Sequence, residues 1–283
     1  MMSKKRNLIA LAIFLLIALG TITANLWLPL SPTAIDAEQR LLSPSAAHWF
    51  GTDDFGRDIF ARVVVAARVS LAVGVIVAIV ATVVGTLIGL ISGYFRKTDF
   101  ILMRIVDGFL AFPALLLALA LVAALGGSIT NIVIALTIAF FPVMSRVVRS
   151  AVLQINNAQY IEAAKTTGTN NFVILFRYVL PNVLSPIIVQ STFIFAKAIL
   201  AEAALSFLGV GVNPSTPTWG NMLQESQIYI TIAPWFSIFP GVAIVITVLS
   251  LNILGDGLRD AFDPHSMKRK KKKRKPKQTA PAA

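Results

Sequence analysis

Long apolar stretches, separated by short polar segments, run along almost the whole chain. Six of them are long enough to cross about 30 Å of hydrocarbon as an α-helix that rises about 1.5 Å per residue. The six predicted spans are Leu8–Leu28, Arg68–Tyr94, Phe100–Leu125, Ile129–Val148, Val183–Leu208 and Trp235–Leu254. The pattern therefore predicts an all-α integral membrane protein with six transmembrane helices.

The composition supports a membrane protein and narrows its chemistry. Hydrophobic residues make up 56% of the 283 residues and charged residues 13%, with a mean hydropathy of +0.77, whereas soluble chains carry about 25% charged residues. The absence of cysteine excludes disulfides and thiolate chemistry. The two histidines, His48 and His265, both lie in polar flanks, so we expect no metal site.

The first apolar stretch has two interpretations. Lys4, Lys5 and Arg6 precede it, and Thr21-Ile-Thr-Ala24 resembles the cleavage site of a secretory signal peptide. The stretch continues through Leu28, however, which is longer than a signal peptide needs. A retained transmembrane helix is therefore the favoured interpretation.

Basic residues are distributed unevenly between the two sides of the predicted bundle. If the N-terminus lies inside, 20 Lys and Arg residues fall on inner segments and four on the first outer loop. Cytoplasmic segments of membrane proteins carry the excess of Lys and Arg. Both termini are therefore predicted to face the cytoplasm.

One polar connection, residues 154–182, interrupts the apolar pattern on the predicted cytoplasmic side. Asn156 and Asn157 are candidate caps for a short helix over residues 159–166, because their side chains accept hydrogen bonds from free backbone N–H groups. Gly168 follows at the position of a helix terminator.

A second short helix is predicted after this glycine. Asn170 and Asn171 are its candidate caps, and it covers residues 172–179. We expect Leu180-Pro181 to stop it, since a proline disfavours helical geometry in the residue before it. The simplest interpretation is a plain connection between two spans, but its length of about 30 residues favours a functional segment.

Several stretches of this sequence resemble one known family. Glu162-Ala-Ala, Gly168 and Leu180-Pro181 occur in the spacing of the EAA motif, with Tyr178 at a position that is usually apolar. The other matching stretches are His48-Trp-Phe-Gly-Thr-Asp-Asp-Phe-Gly-Arg-Asp-Ile-Phe60, Ala204-Leu-Ser-Phe-Leu-Gly209, Pro217-Thr-Trp-Gly220 and Asn252-Ile-Leu-Gly-Asp-Gly-Leu-Arg-Asp-Ala-Phe-Asp-Pro264. Over residues 45–265 the chain is similar to permease subunits of ATP-binding-cassette importers, in the peptide/nickel subfamily and of the second-permease type.

The resemblance implies a fold, partners and a substrate class. The fold is that of type I importers, in which cytoplasmic coupling helices dock on a separate ATPase. The implied partners are a second homologous permease in a heterodimer, two ATPase subunits that bind ATP and Mg, and an extracytoplasmic solute-binding protein. The implied substrate is a di- or oligopeptide, with nickel, a metallophore or glutathione as alternatives.

The same resemblance assigns residues to the coupling site and limits the chemistry of this chain. The assigned residues are Glu162, Ala163, Ala164, Gly168, Leu180 and Pro181. The chain contains no G-x-x-x-x-G-K-[ST] motif, so we expect neither ATP hydrolysis nor a bound cofactor in it.

The first outer loop contains candidate gate residues. Residues 51–58 fit a turn with local Asx hydrogen bonds that leads into a helix, on which Asp58 and Arg62 would share a face. The resemblance implies instead a structured element beside the gate and the docked binding protein. Its candidate residues are Asp53, Asp54, Gly56, Arg57 and Asp58, together with Trp219 of a later outer loop.

Ionisable side chains inside the predicted spans are costly, at about 2.5–3.5 kcal/mol each at the bilayer centre. Arg104 and Asp107 are three residues apart, a spacing that favours a local ion pair. Gln190, Lys197 and Glu202 make the fifth span the most polar one. We expect these three to line the pathway or to contact the partner permease, and the sequence leaves that choice open.

The sequence divides into three segments. Residues 1–67 hold the first span and the outer loop, and residues 68–265 hold the permease core. Residues 266–283 form a Lys/Arg-rich tail, which we expect to be disordered in the cytoplasm, near anionic lipids rather than on nucleic acid. The resemblance places the protein in the bacterial inner membrane. A self-contained secondary transporter is the more distant alternative. It predicts internal inverted repeats or broken helices with a site at the membrane midplane, and no clear repeat is visible.

Overall fold

The protein is a bundle of α-helices. The computed structural model describes residues 2–28, 31–213 and 216–262. The helices are α1 (Met2–Ile22), α2 (Ala24–Trp27), α3 (Ile59–Tyr94), α4 (Arg96–Leu110), α5 (Ala114–Leu125), α6 (Ile129–Ile155), α7 (Gln159–Thr166), α8 (Asn171–Val173), α9 (Leu180–Phe207), α10 (Trp219–Ser226) and α11 (Trp235–Phe262), with a π-helical turn over Ile174–Val179. Within the described residues, the β pairing is a single bridge between Thr52 and Asp58.

Five helices are long and apolar enough to cross a membrane, and a bent pair makes a sixth crossing if it counts as one span. The five are Lys5–Ile22, Ile59–Tyr94, Ile129–Ile155, Asn171–Phe207 and Trp235–Phe262. The predicted all-α membrane architecture is confirmed, although the third span differs in form. The predicted basic tail, residues 266–283, lies outside the described residues.

The third span, predicted as one helix over Phe100–Leu125, is broken. α4 ends at Leu110, α5 begins at Ala114, and the two helices meet at 85°. Pro113 lies at the break, where it lacks the N–H that a continuous helix needs and disfavours helical geometry in the preceding residue. The apolar pattern continued through this bend, so it concealed the break.

The expected local ion pair between Arg104 and Asp107 is not formed. Asp107 Oδ1 accepts a hydrogen bond from Arg146 Nη2 of α6 at 2.7 Å, and the guanidinium of Arg104 lies 5.1 Å from the ring centroid of Phe100. The carboxylate therefore connects α4 to α6 instead of pairing along its own helix. Both members of the pair are more than half exposed, so its contribution to stability is at most about 1 kcal/mol.

α3 and α6 form the centre of the bundle. Two glycines bring their backbones close together: a Cβ on Gly85 would lie 2.6 Å from the Cβ of Met144, and a Cβ on Gly89 would lie 2.7 Å from the Cβ of Val148. Small residues permit such close packing between membrane helices. A second apolar cluster joins α3 to α9, α10 and α11 around Trp219.

The second span begins at Ile59 rather than at the predicted Arg68. Asp58 caps this helix, because its Oδ1 accepts a hydrogen bond from the N–H of Ala61 at 2.7 Å. The outer loop is therefore shorter than predicted, and Arg62 belongs to the first turn of a long helix instead of to a loop.

α1 packs against α3 and α11 at the edge of the bundle. The hydroxyl of Thr21 donates a hydrogen bond to the carbonyl of Val64, and Arg68 Nε donates to the carbonyl of Thr21 at 2.8 Å. The ring of Phe14 meets that of Phe195 edge-on, with centroids 5.9 Å apart. α1 thus has a specific place against the core, and its retention in the mature protein stays a prediction.

The helix after the polar loop does not stop at Leu180-Pro181, so that prediction is wrong. Asn171–Phe207 is continuous, with the π-helical turn Ile174–Val179 inside it. Pro181 lies in the first turn of α9, directly after the wider π turn, where a missing N–H disturbs the hydrogen bonding least. The polar loop, residues 154–182, is therefore joined to the fifth span without a break.

Candidate functional site

The first candidate site is the polar loop that contains α7. Its N-cap is Ala158, which has an extended backbone and makes no side-chain cap, so the predicted caps Asn156 and Asn157 are wrong. Asn156 Oδ1 instead accepts a hydrogen bond from Lys165 Nζ at 2.9 Å. This contact connects the end of α6 to α7.

Gly168 ends α7, as the sequence predicted. Its φ is +76°, its N–H donates to the carbonyl of Lys165, and the N–H of Thr169 donates to the carbonyl of Ala164, both at 3.1 Å. These two bonds are the Schellman pattern of helix termination, which needs a left-handed residue. A Cβ at this position would meet nothing within 4 Å, so glycine is required by the backbone conformation and not by space.

Two asparagines hold the start of the next helix. Asn170 caps α8, since its side chain accepts a hydrogen bond from the N–H of Phe172 at 2.9 Å, as predicted. The hydroxyl of Tyr94, at the end of α3, donates to Asn171 Oδ1 at 2.8 Å. The loop is thus attached to the transmembrane core on the side of α3 as well.

The loop has a buried apolar face and an exposed mixed face. Its buried residues are Ile161, Ile174, Leu175 and Val179. Its exposed residues include Tyr160, Glu162, Ala163, Phe172, Phe176 and Tyr178, which we call the EAA surface. Phe172 is 66% exposed, and exposed aromatic groups in a polar setting are typical of protein docking sites.

The other residues of the predicted coupling set lie beside this surface. Ala164 and Leu180 are half-buried and pack against the core cluster of the bundle, whereas Pro181 and Gly168 are exposed. The set therefore combines exposed positions with positions that fix the loop to the core.

The second candidate site lies at the start of α3, at the end of the bundle predicted to face outward. Five charged side chains meet there: Asp53, Asp54, Arg57, Arg62 and Glu225, which we call the outer ionic cluster. Arg62 contacts Asp53 and donates to Glu225 Oε2 at 2.8 Å and to Oε1 at 3.2 Å. Arg57 Nε donates to Asp53 Oδ2 at 2.6 Å, and its Nη2 donates to Glu225 at 3.1 Å. Buried charges need such partners, so the cluster binds the outer loop, α3 and α10 together.

Asp54 is the least satisfied member of the outer ionic cluster. Its Oδ1 is buried without a hydrogen-bond partner, and Arg57 Nη2 lies 3.6 Å away. Burial raises the pKa of Asp54, and the negative charges of Asp53 and Glu225 raise it further. Carboxylate oxygens of these three acids lie within 4.8 Å of one another. Because Arg57 and Arg62 compensate the carboxylates, we assign no metal ion to them.

Asp58 and Gly56 shape the outer loop around this cluster. Asp58 Oδ2 lies 2.9 Å from His48 Nδ1, and His48 Nε2 lies 2.6 Å from Gln39 Oε1. Gly56 has a φ of +75°, and a Cβ there would collide with the carbonyl of Asp36. The turn predicted for this stretch is present, with Asp58 as the cap that begins α3.

Trp219 anchors α10 to the bundle. It is 1% exposed, and its Nε1 donates a hydrogen bond to the carbonyl of Val63 in α3 at 2.9 Å. Thr218 caps the helix by accepting from the N–H of Asn221 at 3.1 Å. Trp219 is therefore a structural anchor of the outer helix in this chain.

The three polar residues of the fifth span have different surroundings. Gln190 is half-buried, Lys197 is exposed and Glu202 is completely buried. The hydroxyls of Ser70 and Ser206 donate to the carboxylate of Glu202 at 3.1 Å and 2.9 Å. The three residues thus do not form one polar site. A role in the pathway or in contact with the partner permease stays a prediction for Gln190 and Lys197.

Sequence reasoning missed Glu225 and misjudged Arg62. The expected neighbour of Arg62 was Asp58, four residues away, but its guanidinium turns to Asp53 and to Glu225. Arg62 and Glu225 are 163 residues apart, so no local spacing connects them. The available signal is that Glu225 is an acidic residue in an outer segment, 210–234, that has no Lys or Arg.

Comparison with known proteins identifies the family. Residues 85–268 match the family described as binding-protein-dependent transport system inner membrane component. The dipeptide transport system permease protein DppC of Alkalihalophilus pseudofirmus is 48% identical over 92% of this chain and 87% of that protein. The probable peptide ABC transporter permease protein y4tQ of Sinorhizobium fredii is 47% identical over 84% and 82%. The glutathione transport system permease protein GsiD of Escherichia coli is 46% identical over 78% and 73%.

A solved structure has the same fold. A chain of the MetNI methionine ABC transporter, in an inward-facing conformation, matches with a TM-score of 0.59 at 20% identity, over 71% of this chain and 95% of that chain. This is the type I importer membrane fold that the sequence resemblance implied. Since the family match covers most of the sequence and several helices can span a membrane, the chain belongs to the family of multi-pass inner membrane components of binding-protein-dependent transport systems.

Proposed function

We propose that this chain is one of two permease subunits in an ATP-driven importer of di- or oligopeptides. The observation that carries the proposal is the EAA surface, in which exposed aromatic side chains lie at the start of a helix that continues across the membrane. The similarity to the dipeptide permease DppC supports a peptide as the substrate.

The cytoplasmic loop is the docking site for an ATPase subunit. Glu162, exposed in the first turn of α7, offers a charge to the partner, and Ala163 permits close approach. Gly168 fixes the turn between the two helices. ATP and Mg are bound by two ATPase subunits, one on this loop and one on the equivalent loop of a second, homologous permease. A displacement of this loop by the ATPase is then transmitted through the π turn before Pro181 into the membrane-spanning part of the same helix.

The opposite side receives the substrate. The outer ionic cluster and α10 form a structured surface on which an extracytoplasmic solute-binding protein docks. The distribution of Lys and Arg supports this orientation, with both termini in the cytoplasm. Glutathione is the second candidate substrate, supported by the similarity to GsiD.

Reconstitution tests this function directly. The chain is assembled in proteoliposomes with its second permease, its ATPases and its binding protein, and ATP-dependent uptake of labelled dipeptide, oligopeptide, glutathione and nickel chelate is measured. Peptide uptake that requires ATP and the binding protein is the expected result. Uptake of glutathione alone makes the second candidate correct, whereas transport by the chain alone without ATP contradicts the proposal.

A further inference from the structure

Glu202 is a buried carboxylate in a membrane-spanning helix whose partners are all hydroxyl groups. Ser70 Oγ donates to its Oε2 at 3.1 Å and Ser206 Oγ to its Oε1 at 2.9 Å, and the hydroxyl of Thr218 lies close to the carboxylate. Among the residues that the structure describes, no basic side chain forms an ion pair with it. Ionisable groups at such positions are costly and mark a function by default.

These hydroxyls come from three different elements. Ser70 belongs to α3, Ser206 to α9, and Thr218 is the N-cap of α10. Ser70 Oγ also accepts the backbone N–H of Trp219 at 3.4 Å. The free N–H groups at the start of a helix carry partial positive charge, which a nearby carboxylate compensates. Glu202 therefore stabilises the first turn of α10 where it meets two spans.

Close packing leaves little freedom at this junction. A Cβ on Gly220 would lie 2.6 Å from the carbonyl oxygen of Ala203 and 2.6 Å from the Cβ of Ser206. A Cβ on Gly211 would collide with Ser206. The backbone of α10 thus lies directly on the outer end of α9, and the carboxylate supplies the polar contacts that hold it there.

The same helix carries the EAA surface at its other end. Asn171–Phe207 contains 37 residues, which span about 55 Å at about 1.5 Å per residue. Phe172 of the EAA surface lies at its inner end and Glu202 near its outer end. A displacement of the cytoplasmic loop is therefore carried by one helix to the hydroxyl network around Glu202.

We propose that Glu202 is a positioning residue, a hydrogen-bonded latch that makes the first turn of α10 move together with α9. The inference deepens the proposed function and rests on it, because the latch transmits motion from the ATPase docking site to the outer surface. Without the latch, α9 moves relative to both α3 and α10, which stay joined to each other through Arg62 and Glu225 and through Trp219. ATP hydrolysis then continues without an effective response of the outer side.

Transport coupling provides the first test. Peptide taken up per ATP hydrolysed is measured in proteoliposomes for Glu202→Leu, Glu202→Gln and Ser70→Ala. We expect Glu202→Leu to lower this ratio about tenfold at an unchanged basal ATPase rate, and Ser70→Ala to lower it by less. Glu202→Gln should retain coupling, because its amide oxygen accepts from the same hydroxyls. The matched control is Thr192→Val. It also removes a hydroxyl from α9, but that hydroxyl donates to the carbonyl of Ile188 in the same helix.

Spin labels provide a second test that needs no transported substrate. The chain has no cysteine, so Leu208→Cys and Ile228→Cys, at two exposed positions beyond α9 and α10, take labels selectively. With Glu202 in place, we expect the two labels to show the same spin–spin interaction with and without ATP. After Glu202→Leu, we expect a wider distribution of distances between the labels, or a spin–spin interaction that changes with ATP. If the unlabelled wild-type complex fails to import peptide, the proposed function fails while this measurement still tests the latch.

Two outcomes overturn the proposal. One is a Glu202→Leu complex whose coupling ratio and spin–spin interaction equal those of the wild type. The other is an equal loss of coupling in Thr192→Val, which would show a general sensitivity of α9. If Glu202→Leu does not assemble, Ser70→Ala is tested in its place. A Ser70→Ala complex with the wild-type coupling ratio and an unchanged spin–spin interaction also overturns the proposal.

Discussion

Arg62 of α3 and Glu225 of α10 face each other across the outer side with two hydrogen bonds, Nη1 to Oε2 at 2.8 Å and Nη2 to Oε1 at 3.2 Å. Arg62 is 2% exposed, and the two-point geometry suits its planar guanidinium. With Asp53 beneath it, the arginine connects the first outer loop, the second span and a helix from late in the sequence. Such a buried pair stabilises the fold only while every partner is present.

Removing this arginine is expected to be severely destabilising. Arg62→Met leaves Arg57 as the only cation for Asp53, Asp54 and Glu225 in the outer ionic cluster, so we expect the free energy of unfolding to fall by about 3–5 kcal/mol. Denaturant unfolding of the purified chain in detergent measures it. The control is Arg146→Met, whose ion pair with Asp107 is more than half exposed and should cost less than about 1 kcal/mol.

A double-mutant cycle sharpens this prediction. Glu225→Gln added to Arg62→Met should cost less than the sum of the two single variants, because the second change removes a carboxylate that the first left with Arg57 as its only cation. Strictly additive costs would show that the two side chains do not interact as the structure indicates.

Gly168 is expected to be required for coupling rather than for insertion. Gly168→Leu forces a side chain into a φ of +76°, at a strain of about 1–2 kcal/mol, without any collision. The turn after α7 then shifts, so ATPase stimulation and peptide uptake should fall while the chain still inserts. Gly108→Leu is the control, because its Cβ also meets nothing within 4 Å, and α4 has no left-handed residue there. Wild-type uptake by Gly168→Leu would contradict this role.

The aromatic part of the EAA surface should determine ATPase binding. Phe172→Asp places a charge at a position that is 66% exposed, and we expect at least about tenfold weaker binding of the ATPase, since docking surfaces depend on such aromatic anchors. Co-purification and binding titrations in detergent measure it. Ile35→Asp changes a residue that is 68% exposed in the outer loop and should leave ATPase binding intact. Equal losses in both variants would argue against a docking surface.

The pKa of Asp54 predicts a pH-dependent effect on stability. Burial and the charges of Asp53 and Glu225 raise it above its ordinary value of 3.8. The folded state therefore favours the protonated form, and the stabilising contribution is complete below pH 3.8 and is lost as the pH rises through the folded pKa. Asp54→Asn should thus raise the unfolding temperature at pH 7, with a gain that shrinks toward pH 4. A constant gain at all pH values would contradict the raised pKa.

Local signals in the sequence predicted local features well. Gly168 ends α7 because glycine has no side chain that opposes the left-handed backbone conformation needed there. Asn170 caps α8 because its side chain accepts a hydrogen bond from the N–H of Phe172, only two residues away. Leu180-Pro181 misled because a proline disfavours a continuing helix without forbidding it, and here the helix continues with a π turn directly before Pro181. Spacing alone does not reveal that wider turn.

The sequence by itself determined the membrane class, the family, the number of apolar stretches and the position of the polar loop that carries the EAA motif, because hydropathy and this motif are read over short distances along the chain. Tertiary structure alone decided that Arg62 pairs with Glu225 and that Glu202 is enclosed by Ser70, Ser206 and Thr218. Most of these partners are far apart in sequence. A charge buried in an apolar bundle must find compensation wherever packing brings a partner, and sequence spacing does not specify that place.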